Sequence, residues 1–177
     1  ELHDHLRVLF ARLGTPHCPR CGRVVVRTSA PEIVDALLAM PEGTRFTLVA
    51  PVALEGRTLE ATLASLRHRG FVRVALGGVV HEIDAVPAVT TVATSKRAHA
   101  VTSAAATDVG IEVVVDRLVA RPGSRTRIAD SVELALREGR GVLRVERDAP
   151  SAPKDERFAA DAVCLGCGFV LPEVGHR

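Results

Sequence analysis

Apolar residues recur at helical spacing in Leu6-Arg7-Val8-Leu9-Phe10-Ala11-Arg12-Leu13 and stop at Gly14-Thr15-Pro16, the end of a short helix. Val24-Val25-Val26 is a β-rich run. Pro31-Glu32 opens a second helix, with proline in its first turn and Ser29 nearby as a cap; it runs to about Met40. Arg45 to Ala50 reads as a strand. From Thr58 to about Arg69, Leu59, Leu63 and Leu66 share one face of an amphipathic helix that Gly70 stops. The clearest signal follows: Phe71–Leu76 and Val79–Ile83 are joined by Gly77-Gly78, the pattern of a β-hairpin. Between Val86 and about Asp108 the pattern dissolves into Ala, Thr, Ser and Val around Lys96-Arg97, which reads as a mobile loop. Ile111–Val119 is a strand, Ala129 to about Glu138 a helix ended by Gly139, and Gly141–Glu146 a last strand. Asp148–Glu156, rich in Pro and charge, reads as a linker to a short terminal hairpin.

Strands outnumber helices, and hairpins mix with helices instead of repeating βαβ. The expected fold is therefore α+β, an antiparallel sheet with a few packed helices. No internal repeat is visible. The expected organisation is an N-terminal helix end and first cysteine knuckle over residues 1–28, an α+β domain over 29–148, and a linker with a second knuckle over 149–177; the two chain ends form a small base.

Composition narrows the chemistry. Hydrophobic residues make up 47% of the 177 residues but aromatic ones only 3%, so the core is built from Val, Leu, Ala and Ile. The absence of Trp and Tyr argues against a carbohydrate site or a base-stacking platform. A formal charge of +2 is too balanced for a general nucleic-acid magnet, although a local patch is compatible with it. No apolar stretch is long enough to span a membrane, and Glu1-Leu2-His3-Asp4-His5 does not resemble a signal peptide. The expected setting is a reducing cytoplasm, and the missing initial Met suggests a segment of a longer protein.

All four cysteines lie in two Cys-x-x-Cys-Gly motifs, Cys18–Gly22 and Cys164–Gly168. Two intervening residues let one turn present both thiolates to one metal, and the following Gly permits the turn that aims amide N–H groups at sulfur. Two such knuckles supply the S4 set that zinc takes in closed structural sites, where no open position remains for catalysis. One structural zinc ion held by Cys18, Cys21, Cys164 and Cys167 is expected, tying together the ends of an inserted domain. Disulfides, a redox Cys-x-x-Cys, and separate pairs completed by outside ligands are the alternatives. His17 is a solvated loop residue or a spare ligand. No phosphate-binding Gly-rich loop with Lys, no nucleophile elbow and no zincin motif is present, and Asp84, Asp116 and Asp130 read as strand-end, surface or cap residues. The chain is not expected to be an enzyme by itself.

The run Leu6-Arg7-Val8-Leu9-Phe10-Ala11-Arg12-Leu13-Gly14-Thr15-Pro16-His17-Cys18-Pro19-Arg20-Cys21-Gly22 resembles UvrA, the ATPase subunit of the bacterial excinuclease. Collinear resemblances continue through Pro41–Arg45, Leu48–Val52, Gly70–Val74, Glu112–Leu118, Arg127–Leu136 and Cys164–Phe169. The resemblance implies the UvrB-binding insertion domain of UvrA with its zinc-bearing base. The parent would be an ABC-type ATPase, a homodimer that surveys DNA and loads UvrB in nucleotide excision repair, with its nucleotide motifs outside these residues. It also implies that Arg73 and Arg117 bind UvrB. Arg73 alternates with Val72 and Val74 and so points off the core face of its strand, and Arg117 follows the Val113–Val115 alternation. Leu54-Glu55-Gly56-Arg57 stands where the family usually has a more basic segment, and the loop around Lys96-Arg97 replaces a Lys-Lys-His approach. These departures weaken the implied DNA contact and leave a partner-binding domain of a divergent UvrA-like drug-resistance protein, with a different partner, as an alternative. The alternative from another class is a direct DNA-binding zinc domain. Lys96, Arg97, Arg121, Arg125 and Arg127 would then form a stripe along phosphates, with Lys96 and Arg97 the first candidates for DNA contact.

Overall fold

The computed structural model describes residues 2–86, 110–148 and 155–171. Along them run helices α1 (Leu2–Leu13) and α2 (Ala30–Leu38), strand β1 (Arg45–Val52), helix α3 (Leu59–His68), and strands β2 (Arg73–Leu76) and β3 (Val79–Glu82). Strand β4 (Ile111–Val119), helix α4 (Arg125–Glu138), and strands β5 (Val142–Arg147) and β6 (Asp155–Ala159) follow. The loop expected from Val86 to Asp108 lies, beyond Val86, outside the described residues.

The strands form one six-stranded sheet in the order β3-β2-β4-β1-β5-β6, antiparallel at every pairing. The fold is α+β. Side chains alternate between faces along each strand, and one face carries Phe46, Leu48 and Ala50 of β1, Val74 and Leu76 of β2, Ile111, Val113 and Leu118 of β4, and Leu143 and Val145 of β5. Helix α2 covers it with Ile33, Val34 and Leu37, α3 with Leu63 and Leu66, and α4 with Ile128, Val132 and Ala135. Local chemistry starts these helices where they are needed. The Thr58 hydroxyl accepts the Ala61 N–H at 3.2 Å to begin α3. At α2 the Ser29 hydroxyl and N–H both donate to Glu32 at 2.7 Å. Those two bonds, the hydroxyl first, hold the Glu32 carboxyl below its ordinary range. Their contribution is therefore complete above the ordinary carboxylate pKa and lost as pH falls through the lowered one.

The opposite face carries no helix among the described elements. At its centre is Arg144, with 8% of its side chain exposed. Its Nε donates to Glu112 Oε1 at 2.9 Å and its Nη2 to the other oxygen of Glu112. Its Nη1 donates to Glu146 at 2.5 Å and to Asp155 at 2.8 Å. Burial opposes this charge, but Glu112 and then Glu146 outweigh it and hold the guanidinium pKa above its ordinary value. Arg144 on β5 and Val114 on β4 both oppose Val49 of β1, and Glu112 is on the same face as Val114, so the Arg144–Glu112 pair crosses over β1. Val49 beneath it is buried.

Three elements depart from the sequence reading. Strand β6 begins within the span read as a linker, because Asp155 and Glu156 find cationic partners in Arg144 and Arg147 of β5 while Phe158 and Ala159 are buried. Helix α4 begins at Arg125, after a 3-10 turn over Pro122–Ser124; its first three residues are exposed and polar and add nothing to the apolar periodicity. Val24–Val26 makes only one bridge, between Val24 and His17, instead of a strand.

Replacing Arg144 by Ala would leave three clustered carboxylates on the sheet without their cation. It is expected to cost about 3–5 kcal/mol of stability in urea denaturation followed by circular dichroism.

Candidate metal centre and interaction face

The two Cys-x-x-Cys-Gly segments fold into the same hydrogen-bonded knuckle. In the first, the Cys18 N–H donates to Arg23 O at 2.8 Å, the Gly22 N–H to Cys18 O at 2.8 Å, and the Val25 N–H to Pro16 O at 2.8 Å. In the second, the Cys164 N–H donates to Phe169 O at 2.9 Å, the Gly168 N–H to Cys164 O at 2.8 Å, and the Leu171 N–H to Ala162 O at 2.7 Å. Bridges His17–Val24 and Val163–Val170 close them alike. Gly22 and Gly168 have φ of 72° and 69°, a region that strains any residue with a Cβ, so the Gly after each second cysteine is required by the turn.

The knuckles face each other. The four Sγ atoms all lie within 4.8 Å of one another, with Cys18–Cys167 at 3.4 Å and Cys21–Cys164 at 3.5 Å. These distances are far beyond a sulfur–sulfur bond and close to the ~3.8 Å edge of a tetrahedron built on a ~2.3 Å metal–thiolate bond. Cys18, Cys164 and Cys167 are buried and Cys21 is exposed. Burial acts to raise the Cys18 thiol, yet the amides of Cys21 and Arg20 and the thiols of Cys167 and Cys21 together bring it down to about 6. At Cys167 the Phe169 amide favours the thiolate, but burial and the three neighbouring sulfurs push it up to about 12. The Cys18 thiol thus gives up its proton readily while Cys167 opposes a second charge, a conflict that a cation held between the sulfurs would relieve. The donor set fits a tetrahedral divalent metal that prefers sulfur. His17 takes no place in it: its Nδ1 lies 3.0 Å from Gly22 O, inside the first knuckle's own turn. Val25, Phe169 and Leu171 pack around the sulfurs, and the Thr28 N–H bonds Ala159 O at 2.8 Å, joining this base to β6.

Arg73 and Arg117 occupy the helix-free face. Val74 and Val113 oppose each other on the core side, which turns the neighbouring Arg73 outward. Arg117 opposes Thr47, between the core residues Phe46 and Leu48. Alternation from Val113 through Val115 would carry Arg117 onto the core face. A bulge prevents this: Leu48 opposes Asp116 but Val49 opposes Val114, so Val115 is an extra residue on β4 and the alternation inverts. Arg73 is half-buried and Arg117 exposed, and among the described residues neither guanidinium has an ion-pair partner.

Of the strand-end, surface and cap roles read for Asp116, the structure leaves a partly exposed one. The residue sits inside β4 and accepts from Arg127 and Ser131 of α4. The Arg144 cluster likewise escaped the sequence reading, because its four charges come from three strands and carry no motif. Of the residues considered for a DNA stripe, Arg127 pairs with Asp116 at 3.1 Å and Arg125 with Asp35 at 2.8 Å, both on the helical side. Lys96 and Arg97 lie outside the described residues.

A family model described as the UvrA interaction domain matches residues 28–149. The chain belongs to this family. UvrABC system protein A of Mycobacterium tuberculosis is 38% identical over 171 residues, 93% of this chain and 16% of that protein. The protein of the same name from Thermus thermophilus is 37% identical over 179 residues, and that from Deinococcus radiodurans 36% over 182; each match takes in 100% of this chain and 17% of the relative. The chain thus spans only a small part of the length of these relatives. The UvrA interaction domain match starts at Thr28, where the knuckle base meets β6, whereas the relatives align through the cysteine knuckles as well. No helix among the described residues is long and apolar enough to cross a membrane.

One metal ion per chain is expected on titration with Co²⁺, with the thiolate charge-transfer bands of a tetrahedral S4 site. Cys21→Ser and Cys167→Ser are each expected to abolish stoichiometric loading at micromolar metal, because each removes one corner of the same tetrahedron.

Proposed function

We propose that this chain is the partner-binding module of a UvrA-type nucleotide excision repair protein. Its partner is UvrB, met through the helix-free face with Arg73 and Arg117, and one structural zinc ion closes its base. The observation that carries the reading is the convergence of Arg73 and Arg117 on that face, unpaired among the described residues, in a chain of the UvrA interaction domain family. A guanidinium offers a planar fork that matches carboxylates in pairs, so the partner surface must be acidic. Such charge pairs across an interface govern recognition and association rate more than total affinity.

Zinc is the metal that best suits four thiolates in a closed tetrahedron, and its binding is worth roughly 10–16 kcal/mol in small structural sites. With all four positions taken by protein it has no place for substrate. Its task is to join the segments that enter and leave the sheet. The module is therefore not catalytic; ATP hydrolysis, dimerisation and DNA scanning belong to the ABC-type parent, a cytoplasmic protein. Direct DNA binding is the second reading. Against it stand Arg125 and Arg127, which already have carboxylate partners on the side away from Arg73 and Arg117.

Calorimetric titration of the metal-loaded chain with UvrB is expected to show micromolar or tighter binding. An Arg73→Ala/Arg117→Ala variant with unchanged circular dichroism is expected to lose it, at a cost on the order of 2 kcal/mol or more for each anchor. Absence of binding by the folded, metal-loaded chain, together with steeply salt-dependent DNA binding, would replace this reading with the second.

A further inference from the structure

Arg117 reaches the interaction face only because β4 carries one residue more than its partner strand, so whatever stabilises that bulge decides where the guanidinium points. Val113 and Leu118 are anchored in the core on either side of it. Without the bulge, Arg117 would share Val113's face and press a charge into the apolar layer beneath α2, α3 and α4. With it, Val115 and Asp116 both turn towards the helices: Val115 packs against the core cluster, and Asp116 reaches α4. A bulge disrupts the ladder locally and leaves backbone groups to be satisfied by other means. Here the Arg117 N–H donates to Oδ1 of Asp116 at 2.8 Å. The same carboxylate is fixed from α4 on both oxygens, by Arg127 Nη2 at 3.1 Å on Oδ1, and by Arg127 Nε at 3.2 Å and Ser131 Oγ at 3.0 Å on Oδ2. The clamp is half-buried, with 25% of the Asp116 side chain exposed, and the Asp116 hydrogen bond is the main cause of a raised Arg127 pKa.

We propose that Asp116 is the positioning residue for Arg117: held by Arg127 and Ser131 of α4, it locks the β4 bulge and so sets Arg117 on the same face as Arg73. This inference deepens the UvrB-binding reading and rests on it for its functional meaning, while its geometric content stands apart from any partner. The helical layer and the interaction face, on opposite sides of the sheet, are thereby linked through a single carboxylate. Bulges characteristically re-aim side chains at functional sites, and this one changes which side of the protein a charge occupies.

Two measurements test it. The first needs no partner: the rate at which phenylglyoxal modifies each arginine of the native, metal-loaded chain, read by peptide mass spectrometry. Arg117 is expected to react as an exposed guanidinium, and deletion of Val115 is expected to slow it at least several-fold while Arg73 is unchanged. In Asp116→Ala, Arg117 is expected to change its rate by more than twofold. Should Asp116→Ala fail to fold, Arg127→Ala/Ser131→Ala, which leaves Asp116 in place, serves in its stead. Arg117 rates that stay within twofold of wild type in the folded variants would overturn the proposal whether or not UvrB binds. The second is a double-mutant cycle on UvrB affinity. Asp116→Ala is expected to weaken binding roughly tenfold in the wild-type background and to have no further effect in Arg117→Ala. An equal loss in both backgrounds would show that Asp116 acts through general stability and would overturn the positioning role. A wild-type chain that does not bind UvrB would sink the partner reading alone, leaving the modification rates to decide the geometry.

Discussion

Strand β1 is paired along both edges and covered on both faces, and the other elements take their places from it. On one face Phe46, Leu48 and Ala50 lie under three helices; on the other, Val49 lies beneath the Arg144–Glu112 pair that spans from β5 to β4. A strand buried on both faces needs apolar residues at successive positions, and Leu48-Val49-Ala50 meets that need. The second cover is ionic, which is costly to bury unless every partner is present. Arg144 answers with bonds to three carboxylates drawn from β4, β5 and β6. The same requirement explains why β6, charged in sequence, joins the sheet.

The metal centre follows a different logic. Each knuckle is a local object, closed by short-range backbone bonds and by a glycine that only the turn demands. Bringing the knuckles together is a long-range matter: it requires the intervening sheet to return the chain to its starting point, which the pairing of β5 with β6 and the Thr28–Ala159 bond accomplish. A metal at the four sulfurs would thus hold the same two chain segments as the sheet edge. The free energy of metal binding would then be available to stiffen the junction between the base and the sheet.

The helix-free face owes its character to what the helices leave uncovered. Arg144 is consumed within the sheet; Arg73 and Arg117 make no ion pair among the described residues, and Arg45 and Arg157 lie on the same face. Arg125 and Arg127, by contrast, are paired on the helical side.

Much of this was legible in the residues alone. Hairpin and helix signals, period two against period 3.6, and the cap at Ser29 are local, and they point to an α+β fold with no fold knowledge required. The Cys-x-x-Cys-Gly pairs declare a sulfur site for the same reason, since spacing and glycine describe a turn that forms within a few residues. What the sequence could not show is whatever depends on register. Asp155–Ala159 reads as charged linker until β5 lies beside it with Arg144 and Arg147. Asp116 reads as a surface carboxylate until α4 brings Arg127 and Ser131 within reach. Arg117 changes face because of one extra residue, Val115, which is extra only relative to β1. Local patterns are written in the chain because neighbours along it interact whatever the fold. Register and facing are decided by tertiary structure, because they are relations between segments that the chain itself holds far apart.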